Sequence, residues 1–381
     1  MPVNAHITAA ANTPFGRLEG ASALDLIAMA ANQALEESGL KRMDIDGVLC
    51  GYATTYPHLM LATLVSEKLR LHPVYAHGMQ MGGATGAAMV MLACDLVRSG
   101  RCRHVLVVAG ENRLTGQTVD ASIQTLAQVG EMHTEVPNGA SVPAYYALLA
   151  SEYLHRSGAS SADLAEFAVL MRLHAGRHPD AHLRDPISVT QVLESKPIAT
   201  PLRLLDCCPI SDGAAALIVS ANCGPVVVAG AGQAHQHQHL SAIDDVFDTG
   251  AKAASVRAFH DAAASIEDID YLGIYDSFTI TLVMLLEELG FAPRGQAVAR
   301  LRAGDFASDG ALPLNTHGGL LSFGHSGVAG GMAHIVEAWR QLAGQADSRQ
   351  VARRRHALIH ADGGVLSSHV SLVLRSVENG R

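Results

Sequence analysis

The chain has 381 residues, 49% of them hydrophobic and 17% charged, which excludes a disordered chain and suffices for two or three domain-sized cores. Its net charge of −9, with no extended basic patch, argues against nucleic acid as a partner. Six cysteines, none in a CxxC pair, describe neither a disulfide scaffold nor a zinc ribbon.

The opening MPVNAHITAAANTPFGRLEG lacks a basic flank followed by an apolar core, and no run of about 20 apolar residues follows. The expectation is a cytoplasmic protein without a membrane span. A helix is predicted over 22–37: Ser22 and Asp25 can cap its first turn, Leu24, Ile27, Ala28, Ala31 and Leu35 form a stripe, and Gly39 ends it. Residues 45–51 read as a short buried strand and 72–81 (HPVYAHGMQM) as another. Gly82-Gly83 breaks the second, and GATGAAMVMLACDLVRSG continues as a helix to Gly100. The β-branched run RCRHVLVVAG then suits a strand covered on both faces. Residues 116–200, with helices separated by polar turns, interrupt this pattern and are expected to cover a cleft. The apolar β pattern returns in PLRLLDCCPISDGAAALIVS, and 240–250 reads as a surface connection.

The second half repeats the grammar of the first. Asp268-Ile269-Asp270 and YLGIYDSF echo Asp44-Ile45-Asp46 and GVLCGYA, and GVAGGMAHIVEAWRQLAG over 327–344 echoes the helix over 83–100. Basic residues and a strand follow each helix, RCRHVLVVAGE in one half and RRRHALIHADGG in the other. This weak internal duplication points to a layered α/β architecture.

Several loops carry candidate chemistry. Asn315-Thr316-His317-Gly318-Gly319 and Gly324-His325-Ser326-Gly327 flank LLSF just ahead of an Ala/Gly-rich helix. That places two imidazoles near exposed backbone donors, an arrangement suited to an oxyanion, although a tight turn with surface histidines reads the same way. Tyr275-Asp276-Ser277-Phe278 ends an apolar run, where α/β proteins place their ligand crevice; Ser277 or Thr279 equally suits an N-cap. Cys207 and Cys208 read as structural. His235, His237 and His239 alternate as a polar strand face would, and no carboxylate or cysteine can be tied to them, so no metal site is expected. Met79 and Met81 suit either the soft wall of an acyl pocket or core filling.

In this order, GGATG at 82–86, PLRLLDCCPISDGAAA at 201–216, YDSF at 275–278, NTHGGLLSFGHSG at 315–327 and HADGG at 360–364 resemble the thiolase superfamily. The closer likeness is to its lipid-transfer branch, which includes the thiolase half of sterol-carrier proteins. The resemblance implies a thiolase fold: two similar βαβαβαββ halves in a five-layer α-β-α-β-α arrangement. Here the halves would be 1–222, with the loop region 116–200 inserted, and 223–381. It also implies a homodimer, a coenzyme A thioester as substrate and no tightly bound cofactor.

The departures bear on chemistry. The family's nucleophilic cysteine stands in a Cys-x-Ser-Gly context that is here Gly83-Ala84-Thr85-Gly86, so the nucleophile position is vacant at Gly83. The acid/base cysteine of a His-Asp-Cys-Phe segment is replaced by Ser277 of Tyr275-Asp276-Ser277-Phe278. The alternative cysteine position near the C-terminus is Ala361 or Asp362. His325 survives, with Ser326 in place of proline. Cys94 lies roughly 16 Å along the helix from Gly83 and cannot stand in for the missing thiol.

What remains suits a reaction that needs an enolate and no acyl-enzyme, such as retro-aldol cleavage of a 3-hydroxyacyl-CoA. Steroid side-chain aldolases of this branch lack the same cysteines and work with a small zinc-binding, OB-fold acyl-CoA partner protein. The resemblance then makes Tyr275 the general base or its proton-relay donor, with His325 polarising the thioester oxygen and His317 assisting. Met81, Asn315 and Gly364 are candidates for the substrate pocket or oxyanion hole. As base, Tyr275 would need a cation or donor to lower its pKa. A thiolase-type acyltransferase with atypical residues and a noncatalytic acyl-CoA-binding or scaffold subunit are the alternatives.

Overall fold

The computed structural model describes residues 4–377. Nine strands hydrogen-bond in the order β3-β2-β4-β7-β1-β8-β11-β10-β9. They are β1 (His6–Asn12), β2 (Gly47–Gly51), β3 (Tyr75–Met79), β4 (His104–Asn112), β7 (Asp212–Ser220), β8 (Val226–His235), β9 (Tyr271–Ile274), β10 (His356–Gly363) and β11 (Ser368–Ser376); β5 (Pro197–Ala199) and β6 (Leu202–Arg203) pair separately. Only His6–Val227 and Ile7–Val226 join β1 to β8, so the nine strands divide into two half-sheets at that seam.

The halves repeat each other. β2 runs parallel to β3 and β4, and β4 antiparallel to β7. Likewise β9 runs parallel to β10, and β10 antiparallel to β11. Where the first half has β3, the second keeps a single parallel bridge, Leu272–Leu314. Asn315 secures that remnant: its amide donates to the Ile274 carbonyl (2.7 Å) and its Oδ1 accepts from the Ile274 N–H (2.8 Å). Asn315 is thus a buried backbone clamp.

Two helices, α3 (Thr85–Arg98) and α12 (Val328–Ala343), pack against each other and against strands of both half-sheets. Outside, α1 (Ala23–Ser38) and α2 (Leu61–Leu69) cover the first half-sheet and α8 (Ala251–Ala262) the second. This is the expected five-layer order. The cause is visible in β4, where the stretch from His104 to Glu111 is buried on both faces, so helices must lie on either side. Helix α1 begins and ends as its sequence requires: Ser22 and Asp25 form a capping box, and Gly39 closes it at φ 68°.

Between β4 and β7 the chain forms α4 (Val119–Leu126), α5 (Val142–Ser157), α6 (Ser161–Ala175) and α7 (Val189–Glu194). In the second half, α9 (Thr279–Glu288), α10 (Ala297–Arg302) and α11 (Gly319–Ser322) complete the helices. Neither Ser277 nor Thr279 caps α9, whose N-cap is Phe278 without a side-chain bond. Thr279 instead donates to Asp206 (3.0 Å), and Ser277 Oγ lies 3.3 Å from the Thr281 hydroxyl. Strand β8 ends at His235, so His237 and His239 share no strand face with it. Among the described residues no cluster of three His, Cys, Asp or Glu is set to hold a metal, and no helix is long and apolar enough to cross a membrane.

Candidate active site

The C-terminal ends of the adjacent parallel strands β9 and β10 meet the starts of α3 and α12 around a cavity of about 260 Å3. Tyr275 follows β9 directly, and its N–H donates to the His360 carbonyl of β10 (2.9 Å). Its ring lies parallel to that of His334 on α12, centroids 6.2 Å apart. The next residue, Asp276, is fully buried and sets the turn opposite. It accepts the Leu320 N–H (2.7 Å) and pairs with His334 Nε2 (3.1 Å). Gly319 lies against this carboxylate at φ 59°, and any Cβ there would collide with it.

Tyr275 Oη and His325 Nε2 are 3.0 Å apart, and His325 Nδ1 lies 3.1 Å from an Arg113 guanidinium nitrogen. A guanidinium only donates, so Nδ1 accepts and the imidazole proton sits on Nε2. His325 therefore donates to Tyr275 Oη, and the tyrosine keeps its own hydrogen for the cavity. The result is a donor chain, Arg113 to His325 to Tyr275, whose open end faces the pocket. Burial first, and the Arg113 cation second, push His325 down to about 3, so the ring is neutral. Burial and the Asp362 carboxylate hold Tyr275 well above its usual range. The cation and donor sought for Tyr275 are present, yet desolvation outweighs them, and the phenol is protonated. Arg113→Gln should therefore raise the His325 pKa, read by NMR titration of the ring proton; an unchanged titration would dissolve the chain.

The backbone at Gly83 faces this tyrosine. A Cβ on Gly83 would stand under 3.0 Å from both Tyr275 Oη and the Asp362 carbonyl oxygen. The space a nucleophile's side chain would need is taken by the tyrosine hydroxyl. Two residues further on, Thr85 clamps the turn that leads into Gly83, accepting from the Met81 N–H (2.8 Å) and donating to the Gly82 carbonyl (2.6 Å).

The other sequence candidates divide. Gly83, Ser277, His325 and Gly364 line the cavity with Tyr275, whereas Met81, Asn315 and His317 do not. His317 is 1% exposed, so it is no surface histidine; its ring packs on His334 and Phe323 and both nitrogens lack partners. Cys207 and Cys208 do line the cavity, but burial raises both thiols, Cys207 to about 12, which leaves almost no thiolate. Cys94 and Cys102 are buried elsewhere.

Arg113 and Tyr146, which the sequence did not single out, and Asp362, named there only with Ala361 as a place for an absent cysteine, complete the site. Arg113 follows the end of β4. Tyr146 on α5 stacks on Phe278, centroids 4.4 Å apart, and its hydroxyl donates to Asp362 Oδ2 (3.2 Å). Asp362, near the end of β10, is 1% exposed, and its Oδ1 has no partner. Burial pushes this carboxyl up to about 7. Leu126, Val129, Val142 and Pro143, from the segment between β4 and β7, supply an apolar part of the wall, and Thr54 and Glu111 a polar one.

Comparison with known proteins agrees with this geometry. The family profile "Thiolase, N-terminal domain" matches residues 5–222, and "Thiolase C-terminal domain-like" matches 232–376. The acetyl-CoA acetyltransferase of Methanothermobacter thermautotrophicus is 30% identical over 92% of this chain and 94% of its own length. The 17-hydroxy-3-oxo-4-pregnene-20-carboxyl-CoA lyase of Mycobacterium tuberculosis is 31% identical over 94% of this chain and 96% of its own. Among solved structures, the Ltp2-ChsH2(DUF35) aldolase superposes with a TM-score of 0.85 at 28% identity, covering 100% of both chains.

Proposed function

The chain belongs to the thiolase family, and from that premise we propose that it cleaves a 3-hydroxyacyl-CoA by a retro-aldol reaction with no acyl-cysteine intermediate. The observation that carries this reading is the meeting of Gly83 and Tyr275: the hydroxyl at the end of a donor chain occupies the space of an acylated side chain. In the reaction the substrate's 3-hydroxyl loses its proton, the C2–C3 bond breaks, C3 leaves as an aldehyde or ketone, and the bond's electron pair becomes a thioester enolate. Tyr275 O–H donates to the thioester oxygen as charge grows there, and protonation at C2 releases the shorter acyl-CoA. His325 acts through Tyr275 rather than on substrate, since both of its nitrogens are engaged.

The lyase and aldolase relatives support this reading, and the acetyltransferase relative keeps acyl transfer as its rival. The aldolase structure named with a DUF35 component supports a small partner protein here, for which zinc and an OB-fold are the resemblance's further implication. We further infer a homodimer, with β3 as the outermost, half-exposed strand of its half-sheet. Six unpaired cysteines suit a reducing, cytoplasmic location.

The test is turnover of 3-hydroxyacyl-CoA and 3-ketoacyl-CoA panels by mass spectrometry, with and without free CoA and with any co-purified partner. Cleavage of a hydroxyacyl-CoA to a shorter acyl-CoA and a carbonyl compound without free CoA is expected, with no acyl adduct on the intact protein. CoA-dependent cleavage of a ketoacyl-CoA through an acylated cysteine would restore thiolase chemistry. Tight acyl-CoA binding without any turnover would make the chain a noncatalytic subunit.

A further inference from the structure

A retro-aldol cleavage needs an acceptor for the hydroxyl proton, and the donor chain ending in Tyr275 supplies only hydrogens. Resting on that reading, we propose that the Asp362 carboxylate is the base, taking the 3-hydroxyl proton on Oδ1. The site then has two poles. Arg113, His325 and Tyr275 deliver a hydrogen to the thioester oxygen, and Asp362 receives one from the hydroxyl.

Asp362 lies near the end of β10, beside the end of β9 that carries Tyr275, so both groups face one cavity. Its Oδ2 is fixed by the Tyr146 hydroxyl, whose ring is held against Phe278. Its Oδ1 is buried with no partner in the protein. A buried oxygen of this kind costs free energy unless a ligand hydrogen meets it.

The other acceptors are less free. Glu111 Oε1 is likewise buried and unpartnered, but its Oε2 takes three hydrogens, from Thr54 N (2.8 Å), Thr54 Oγ1 (2.5 Å) and Thr55 N (3.2 Å). Those three bonds tie this carboxylate to the Thr54–Thr55 turn, whereas Asp362 is held by a single side-chain donor, Tyr146. His325 has no free nitrogen, and Tyr275 and both cavity thiols hold their protons.

The groups around Asp362 leave it a single ionisation near neutrality. Tyr146 on α5 and Tyr275 at the end of β9 are raised well above 10, while His369 across the ladder on β11 is lowered to about 4 and His360 on β10 well below 6.5. All four are uncharged near pH 7. With Asp362 itself near 7, base strength and the ionised fraction are balanced at that pH.

The step balances without a further reactant. The proton moves from the 3-oxygen to Oδ1 as C3=O forms and the C2–C3 pair passes into the enolate. Asp362 then returns the proton to C2, which restores the carboxylate and completes the shorter acyl-CoA.

The experiment compares Asp362→Asn, Asp362→Glu and Glu111→Gln with the wild-type protein. Asp362→Asn should lower kcat/KM for hydroxyacyl-CoA cleavage by about 10^3-fold, with Kd for the shorter acyl-CoA changed less than about threefold. Wild-type kcat/KM should rise with pH through about 7 to a plateau, because the base must be ionised. That limb should vanish in Asp362→Asn and return, shifted, in Asp362→Glu.

Thermal unfolding separates chemistry from folding. A carboxyl raised to about 7 when folded loses stability as pH climbs from the unfolded carboxylate range through 7, whereas asparagine does not titrate. Asp362→Asn should therefore melt above wild type at about pH 8.5 and level with it at about pH 4. If wild type cleaves and the limb survives in Asp362→Asn, or disappears in Glu111→Gln instead, Asp362 is not the base and the retro-aldol reading stands. If wild type shows no CoA-independent cleavage, that reading and this assignment fall together.

Discussion

Tyr275→Phe is expected to lower CoA-independent cleavage by about 10^3-fold while leaving the affinity for acyl-CoA within about threefold of wild type. The change removes one oxygen and keeps the ring against His334. What is lost is the hydrogen that the Arg113–His325 chain delivers to the cavity, and a single preorganised donor at a developing oxyanion is worth roughly 10^2–10^3 in kcat. The loss is expected at the upper end of that range because the chain works as a unit. Without Oη, the His325 Nε2–H has no acceptor, and a buried donor left without a partner costs about 1–3 kcal/mol. A modest drop in melting temperature should thus accompany the loss of rate. Adding His325→Ala to Tyr275→Phe should cost little more, because the second change removes a group that acted only through the first. A Phe variant with wild-type kcat would remove Tyr275 from the chemistry.

How far the sequence spoke follows from how local each feature is. Helix α1 was readable to within a residue or two because its cap and stop lie within the segment itself. The repeated halves were readable because each β-branched run is bounded by glycine and preceded by an amphipathic helix. The site was readable only where one residue carries the information, as at the missing side chain of Gly83. Its working pairs join distant segments: Arg113 to His325 across 212 residues and Tyr146 to Asp362 across 216. No periodicity or spacing announces such pairs. The two histidines of the 315–327 loop show the same limit. They look alike in sequence, yet the turn at Gly318 and Gly319 seats His317 beneath the site while His325 reaches Tyr275. Asp362 was read, with Ala361, as one of two places for an absent cysteine, and only its burial and free oxygen reveal it as an acceptor.

The second large effect should come from the smallest change. Gly83→Ala adds one methyl group, and it is expected to cut cleavage by about 10^2-fold or more and to lower stability by about 1–3 kcal/mol. The methyl would press on Tyr275 Oη and Cζ from one side and on the Asp362 carbonyl from the other, each under 3.0 Å. The carbonyl belongs to β10 and cannot yield without disturbing its ladder to β11. Tyr275 cannot swing away without leaving His325, and its ring also lies close to Gly331 of α12. Any relaxation therefore moves either the donor or the base. In a Tyr275→Phe background the same methyl should cost less stability, since one of its colliding atoms is gone; Cζ remains, so the relief is partial. Gly83→Cys meets the same obstacles and should yield no acyl-enzyme. Wild-type activity and melting temperature in Gly83→Ala would show that Tyr275 does not hold this position in solution. If the losses appear, glycine at 83 and tyrosine at 275 are one adaptation written in two halves of the chain. A thiol cannot return at the first position while the second keeps its phenol.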